Sequence, residues 1–171
     1  TTIAAIAQRS GVAAGAVYVH FDSKDALLEA LIADFNADLA AKLAPLQAEA
    51  RTGELPTLVA AAATAFLQHW DDNRDLVTAY TERSALGVSP AALRDGVNPP
   101  MLDLLSAALR ARIGRSAVRA AVVAHGLLAM WLRVGMQYLF NPDVSRRIAH
   151  DTLLTMTVGA IEAQTRRKET A

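Results

Sequence analysis

Cysteine is absent from the 171 residues. Disulfides, thiolate metal sites and cysteine nucleophiles are therefore excluded, and a reducing compartment such as the cytoplasm is compatible with the composition. Aromatic residues are scarce at 5%, and charged residues are only 20%, seventeen basic against seventeen acidic. A balance this even argues neither for nor against a polyanionic partner, because segments of opposite sign average out. Glycine and proline are few, at nine and six, while 53% of residues are hydrophobic, which excludes disorder and predicts an all-α globular fold. No uncharged run is long enough for a membrane: between Arg119 and Arg133 it covers residues 120–132, against the roughly 20 apolar residues a bilayer requires. That segment, within 116–140, is expected to be a helix buried on nearly all sides. No signal peptide is visible. Metal-ligand spacings are missing as well: His69 and Asp72 stand three apart, but His125 and His150 fall in other segments without a second pair. With no Gly-x-Ser-x-Gly, no glycine-rich phosphate loop and no paired carboxylates, the sequence predicts neither an enzyme nor a bound cofactor or metal.

What is present is concentrated in residues 2–27. Ile3, Ile6 and Ala7 recur at the spacing of one helical face, with Thr2 placed to cap the free backbone N–H groups before them. Gly11 then sits where a chain leaving a helix takes a left-handed conformation. Beyond Val12 a second short helix would bury Val17 and Phe21 one turn apart and leave Gly15, Ala16, Tyr18 and Val19 near the outer side. Asp22 or Ser23 is expected to cap a third, longer helix with Lys24 in its first turn. Two short helices about a glycine turn form a unit able to lay its second helix in a DNA major groove.

Thr2, Ile6-Ala7, Gly11-Val12, Tyr18, His20-Phe21, Lys24 and Leu27, in this order and spacing, resemble the DNA-binding signature of TetR-type (tetracycline-repressor-like) transcriptional regulators. The resemblance implies phosphate contacts by the Thr2 hydroxyl, the Tyr18 phenol, the His20 imidazole and the Lys24 ammonium, all competent donors. It also implies that Ala13, Ala14, Gly15 and Ala16, at the start of the second helix, read the base edges, while Val19, near the outer side, is counted with the DNA-binding residues. Here the sequence departs from the family pattern, because alanine replaces the usual hydroxyl or amide residues and offers only a methyl to a thymine methyl. Discrimination would then rest on backbone approach at Gly15, on DNA shape, or on residues outside this sequence. The family carries one more helix before this point, so the resemblance implies that a first helix precedes Thr1. Local charge over residues 1–25 is neutral, Arg9 and Lys24 balancing Asp22 and Asp25.

Further along, Leu27, Leu31, Phe35, Leu39 and Leu43 repeat every four residues and predict one long connecting helix that ends before Pro45. The domains are thus expected at 1–43, DNA-binding, and 44–171, effector-binding and dimerising. Residues 51–56 should link to a helix over 55–70, and helix should continue over 73–86. The glycine- and proline-containing stretch 87–100 should be irregular, with Pro99 or Pro100 opening a helix that runs to about Ile113. Asn141-Pro142 is expected to cap and start the last helix, which carries Ile148, Leu153, Met156 and Ile161.

Phe66, Trp70, Tyr80, Met101, His125, Met130 and Trp131 are the candidates for a pocket accepting a small, largely apolar effector, as the resemblance implies for this region. The arginines at 110, 112, 115 and 119, and the basic tail at 166–168, are expected to be solvated surface. The expected function is a homodimeric, effector-responsive regulator, a repressor released from a palindromic operator, with reading helices about 34 Å apart. The alternative is a helical small-molecule-binding and dimerisation module whose DNA-binding unit has decayed.

Overall fold

The structure, a computed structural model, describes residues 11, 13, 15, 19–85, 99–113 and 117–169, with backbone only at 83–85, 99–101, 104 and 166–169. All regular structure among these residues is helical. The elements are α1 (Lys24–Ala48), α2 (Leu55–Asp72), α3 (Arg74–Ala85), α4 (Pro99–Ile113), α5 (Ala117–Phe140) and α6 (Arg146–Glu169). The chain divides into two compact units, Thr1–Phe35 and Asn36–Ala171, and the division falls within α1.

In the first unit Gly11 has φ of +68°, the left-handed turn anticipated there. Ser23 is the cap of α1: its Oγ accepts from the Ala26 N–H at 3.1 Å, and its carbonyl accepts from Leu27 at 3.1 Å. The helix expected over residues 2–10 and the irregular stretch 87–98 lie outside the described residues.

One boundary differs from expectation. Pro45 does not stop α1, which runs on to Ala48. Leu39 and Leu43 are buried, Leu46 is half-buried and Ala50 in the following turn is buried again, so burial at helical spacing continues past the proline. That burial offsets the lost N–H donor and the ring's crowding of the preceding turn. Pro45 itself is exposed.

The second unit is built on α2, whose stripe of Val59, Ala63, Phe66, Leu67 and Trp70 is buried at the three- and four-residue spacing of one helical face. Each fully buried large side chain in such a stripe is worth about 1.5–3 kcal/mol. Asn73 separates α2 from α3. Its side-chain amide donates to the His69 carbonyl at 2.8 Å, and its own carbonyl accepts from Val77 at 3.1 Å. α2 packs against α6 and α5, while α4 packs against α5 and α6 around Leu109, Ile113, Ala120, Ala124, Leu127 and Ile161. Gly135 on α5 allows the closest approach: a Cβ there would lie 2.8 Å from Trp70 Cζ3 and 3.0 Å from Phe66 Cζ.

Two further expectations are corrected. Asn141-Pro142 does not begin the last helix. Asn141 Oδ1 accepts from the Asp143 N–H at 3.0 Å, closing a turn on itself, and the helix cap is Ser145, whose Oγ accepts from Ile148 at 3.3 Å. Nor is α5 buried on nearly all sides. Val118 and Val122 are 75% and 67% exposed, and His125 and Ala129 continue that open stripe opposite the buried one. Low charge content suggests full enclosure, but among the described residues α5 has neighbours on one side only.

Candidate nucleic-acid interface

The chain between the Gly11 turn and the Ser23 cap is the part whose chemistry points to DNA. Gly15, Val19 and His20 have helical backbone and are exposed, and Ala13 just before them is exposed and non-helical. Val19 is 80% exposed, and a Cβ added at Gly15 would meet nothing within 4 Å. These two residues are four apart in the sequence. Phe21, half-buried, ends this helical segment, and the cap at Ser23 then sets Lys24, exposed, at the first position of α1. Thus the structure presents Gly15, Val19, His20 and Lys24 to solvent. Thr2, Ala14, Ala16 and Tyr18, the other residues singled out for DNA, lie outside the described residues.

The candidate pocket residues fall into separate groups. Phe66, Trp70 and Trp131 come together: the Phe66 and Trp70 rings are 5.0 Å apart and tilted, and Phe66 meets Trp131 edge-on at 5.3 Å. Trp131 donates its indole N–H to Thr157 Oγ1 at 2.8 Å, whereas the Trp70 Nε1 is buried without an acceptor among the described residues. Met130 packs on the α4–α5–α6 core instead. Tyr80 is half-buried on α3, and Met101 lies in α4 with its side chain outside the description. His125 is exposed rather than enclosed, its Nδ1 2.8 Å from the Ala121 carbonyl of its own helix.

Three polar arrangements were not anticipated. His69, at 1% exposure, has its Nδ1 2.9 Å from Lys42 Nζ, and Lys42 also pairs with Asp38 at 3.4 Å. An ammonium can only donate, so this Nδ1 is the unprotonated nitrogen of the ring. Arg112, expected on the solvated surface, is half-buried and donates to the carbonyls of Ala50 and Gly53, both at 2.9 Å, in the turn that follows α1. Asp71 at the end of α2 gathers Tyr138 from α5, Arg74 from α3 and Arg146 from α6. The first arrangement had a sequence trace: a histidine in the apolar stripe of α2, at 69 between Phe66 and Trp70. Arg112 with its two carbonyls, and Asp71 with Tyr138 and Arg146, join residues dozens of positions apart and had none.

Residues 1–31 match the family described as "Bacterial regulatory proteins, tetR family". Over this segment the chain is similar to TetR-type, DNA-binding transcriptional regulators, and the helical architecture is consistent with that likeness. Among particular proteins it is similar to the HTH-type transcriptional regulator BetI of Cronobacter sakazakii, with 29% identity over 178 aligned positions covering 93% of this chain and 82% of the relative.

Proposed function

We propose that the chain is a homodimeric repressor, without catalytic activity, that leaves a palindromic operator when a small, largely apolar effector binds its second unit. It acts in the cytoplasm, where its operator is. Gly15 and Val19 face the base edges; His20 and Lys24, with Thr2 and Tyr18, hold phosphates and fix register. The observation that carries this reading is the exposed set Gly15, Val19, His20 and Lys24, held between the left-handed Gly11 and the Ser23 cap inside a segment that matches the tetR family.

The open faces of α5 and α6 support self-association. Val118 and Val122 on α5, and Ile148 and Met156 on α6, are large apolar residues left exposed in the single chain. Gly126 and Gly159 stand beside them, with nothing within 4 Å of where a Cβ would be. Glycine inside a helix costs about 1 kcal/mol relative to alanine, a cost offset where another helix must come close. A second copy of the chain, related by a two-fold axis, covers both faces and matches a two-fold operator.

The aromatic group of Phe66, Trp70 and Trp131 supports an apolar effector, and the Trp70 indole N–H supplies one directional donor beside it. The effector acts by binding one of two conformations of the dimer better, lowering DNA affinity by that difference. The test is a mobility shift of the protein on DNA from upstream of its own gene, with sedimentation run in parallel. A retarded complex of two chains per duplex is expected, and a Val122→Glu, Met156→Glu variant should sediment as a monomer. A dimer that shifts no DNA would favour a binding module with a decayed DNA unit.

A further inference from the structure

The side chains of the reading segment have almost no hydrogen-bonding capacity. From residue 12 to 19 the sequence runs Val-Ala-Ala-Gly-Ala-Val-Tyr-Val, and only Tyr18 carries a polar side-chain atom. Bidentate recognition of guanine by Arg or Lys, or of adenine by Asn or Gln, is unavailable to a segment of this composition. Yet Val19 is, at 80% exposure, the most exposed large apolar side chain among the described residues. A β-branched residue is a poorer helix former than alanine, so neither helix stability nor packing accounts for valine there. Gly15, four residues earlier, has helical backbone and leaves open space where a side chain would stand. A groove wall can therefore approach the backbone at Gly15 while the Val19 methyls reach outward.

We propose that Val19 is a specificity-determining residue that reads thymine by its C5-methyl group, with Gly15 providing the close approach. This deepens the DNA-binding reading given above and rests on it. The thymine methyl is the one apolar group that base edges display in the major groove, and it tells an A·T pair from a T·A pair by position. Contact between it and the valine methyls removes apolar surface of both from water, a gain that no phosphate contact can supply. Sites for this protein accordingly carry thymine at a fixed position in each half-site, with His20 and Lys24 setting the register.

The experiment uses the full chain and duplexes enriched by it from a random-sequence library. In the tightest-binding duplex, deoxyuridine replaces thymidine, which removes each C5-methyl and leaves every base-pairing group intact. Wild-type protein should bind the uracil duplex more weakly by roughly fourfold per contacted methyl, or roughly fifteenfold for one methyl in each half-site. Val19→Ala should bind the thymidine duplex with a comparable loss and show no further loss on the uracil duplex. Equal binding of wild type to both duplexes would overturn the proposal, as would a full uracil penalty retained by Val19→Ala. A library from which no duplex is enriched would instead overturn the DNA-binding reading beneath it, and the proposal with it.

Discussion

The Tyr138 hydroxyl lies 2.9 Å and 2.8 Å from the two carboxylate oxygens of Asp71, tying α5 to the last turn of α2. Arg146 reaches the same carboxylate from α6 at 3.4 Å and Arg74 from α3 at 3.3 Å, so four helices of the second unit meet at one side chain. Burial first, then the hydrogen bond to Asp71 and its negative charge, push the Tyr138 phenol above its ordinary value, with smaller opposition from Arg146 and Arg74.

A pH dependence follows from the sign of that shift. The phenol is neutral when protonated, and its pKa is higher folded than unfolded, so its contribution is complete below the unfolded value of about 10. The contribution is lost as pH rises through the folded value. Alkaline unfolding monitored by circular dichroism should therefore show wild type losing stability above about pH 10 more steeply than Tyr138→Phe. At neutral pH the same variant should be less stable by about 1–2 kcal/mol in urea, because a charge-assisted bond is lost while Asp71 keeps its arginines.

Gly135→Ala should be destabilising despite alanine's better helix propensity. The new methyl would meet Trp70 Cζ3 at 2.8 Å, Trp70 Cη2 at 2.9 Å and Phe66 Cζ at 3.0 Å. These are ring atoms in a packed cluster, so they cannot bend away as a flexible chain end would. Overpacking of this kind costs about 1–3 kcal/mol, against a propensity gain of about 1. A net loss of up to roughly 2 kcal/mol in chemical denaturation is expected.

Arg112→Ala should loosen the end of α1. The guanidinium holds the Ala50 and Gly53 carbonyls, which otherwise have no helix to pair with. Its loss should lower stability by about 1–3 kcal/mol and, in hydrogen exchange, deprotect residues 46–53 before any other part of the second unit. A uniform loss of protection would show that Arg112 serves the fold at large rather than this turn.

Local signals account for what the sequence disclosed. The Gly11 turn, the cap at Ser23, the start of α2 at Leu55 and the span of α4 from Pro99 to Ile113 each depend on a few neighbouring residues with fixed conformational preferences. Pro45 misled because burial of Leu46 and Ala50 outweighs a local rule, and Asn141-Pro142 because an Asn that caps a helix can equally close a turn on its own next-but-one residue. The exposed stripe of α5 was hidden for a different reason: apolar composition is the same whether a helix is covered by its own chain or by another. Arg112 is the limiting case, since its partners lie about sixty positions away and nothing near it in sequence names them.

The most direct test of the central claim, that the segment from Gly11 to Lys24 grips DNA through phosphate contacts, is the salt dependence of operator affinity measured by fluorescence anisotropy. Lys24→Ala should weaken binding to every duplex alike and reduce the slope of log affinity against log salt by about 2, one contact per subunit. Tyr18→Phe should weaken binding without changing that slope. A slope and affinity identical to wild type in Lys24→Ala would contradict the account.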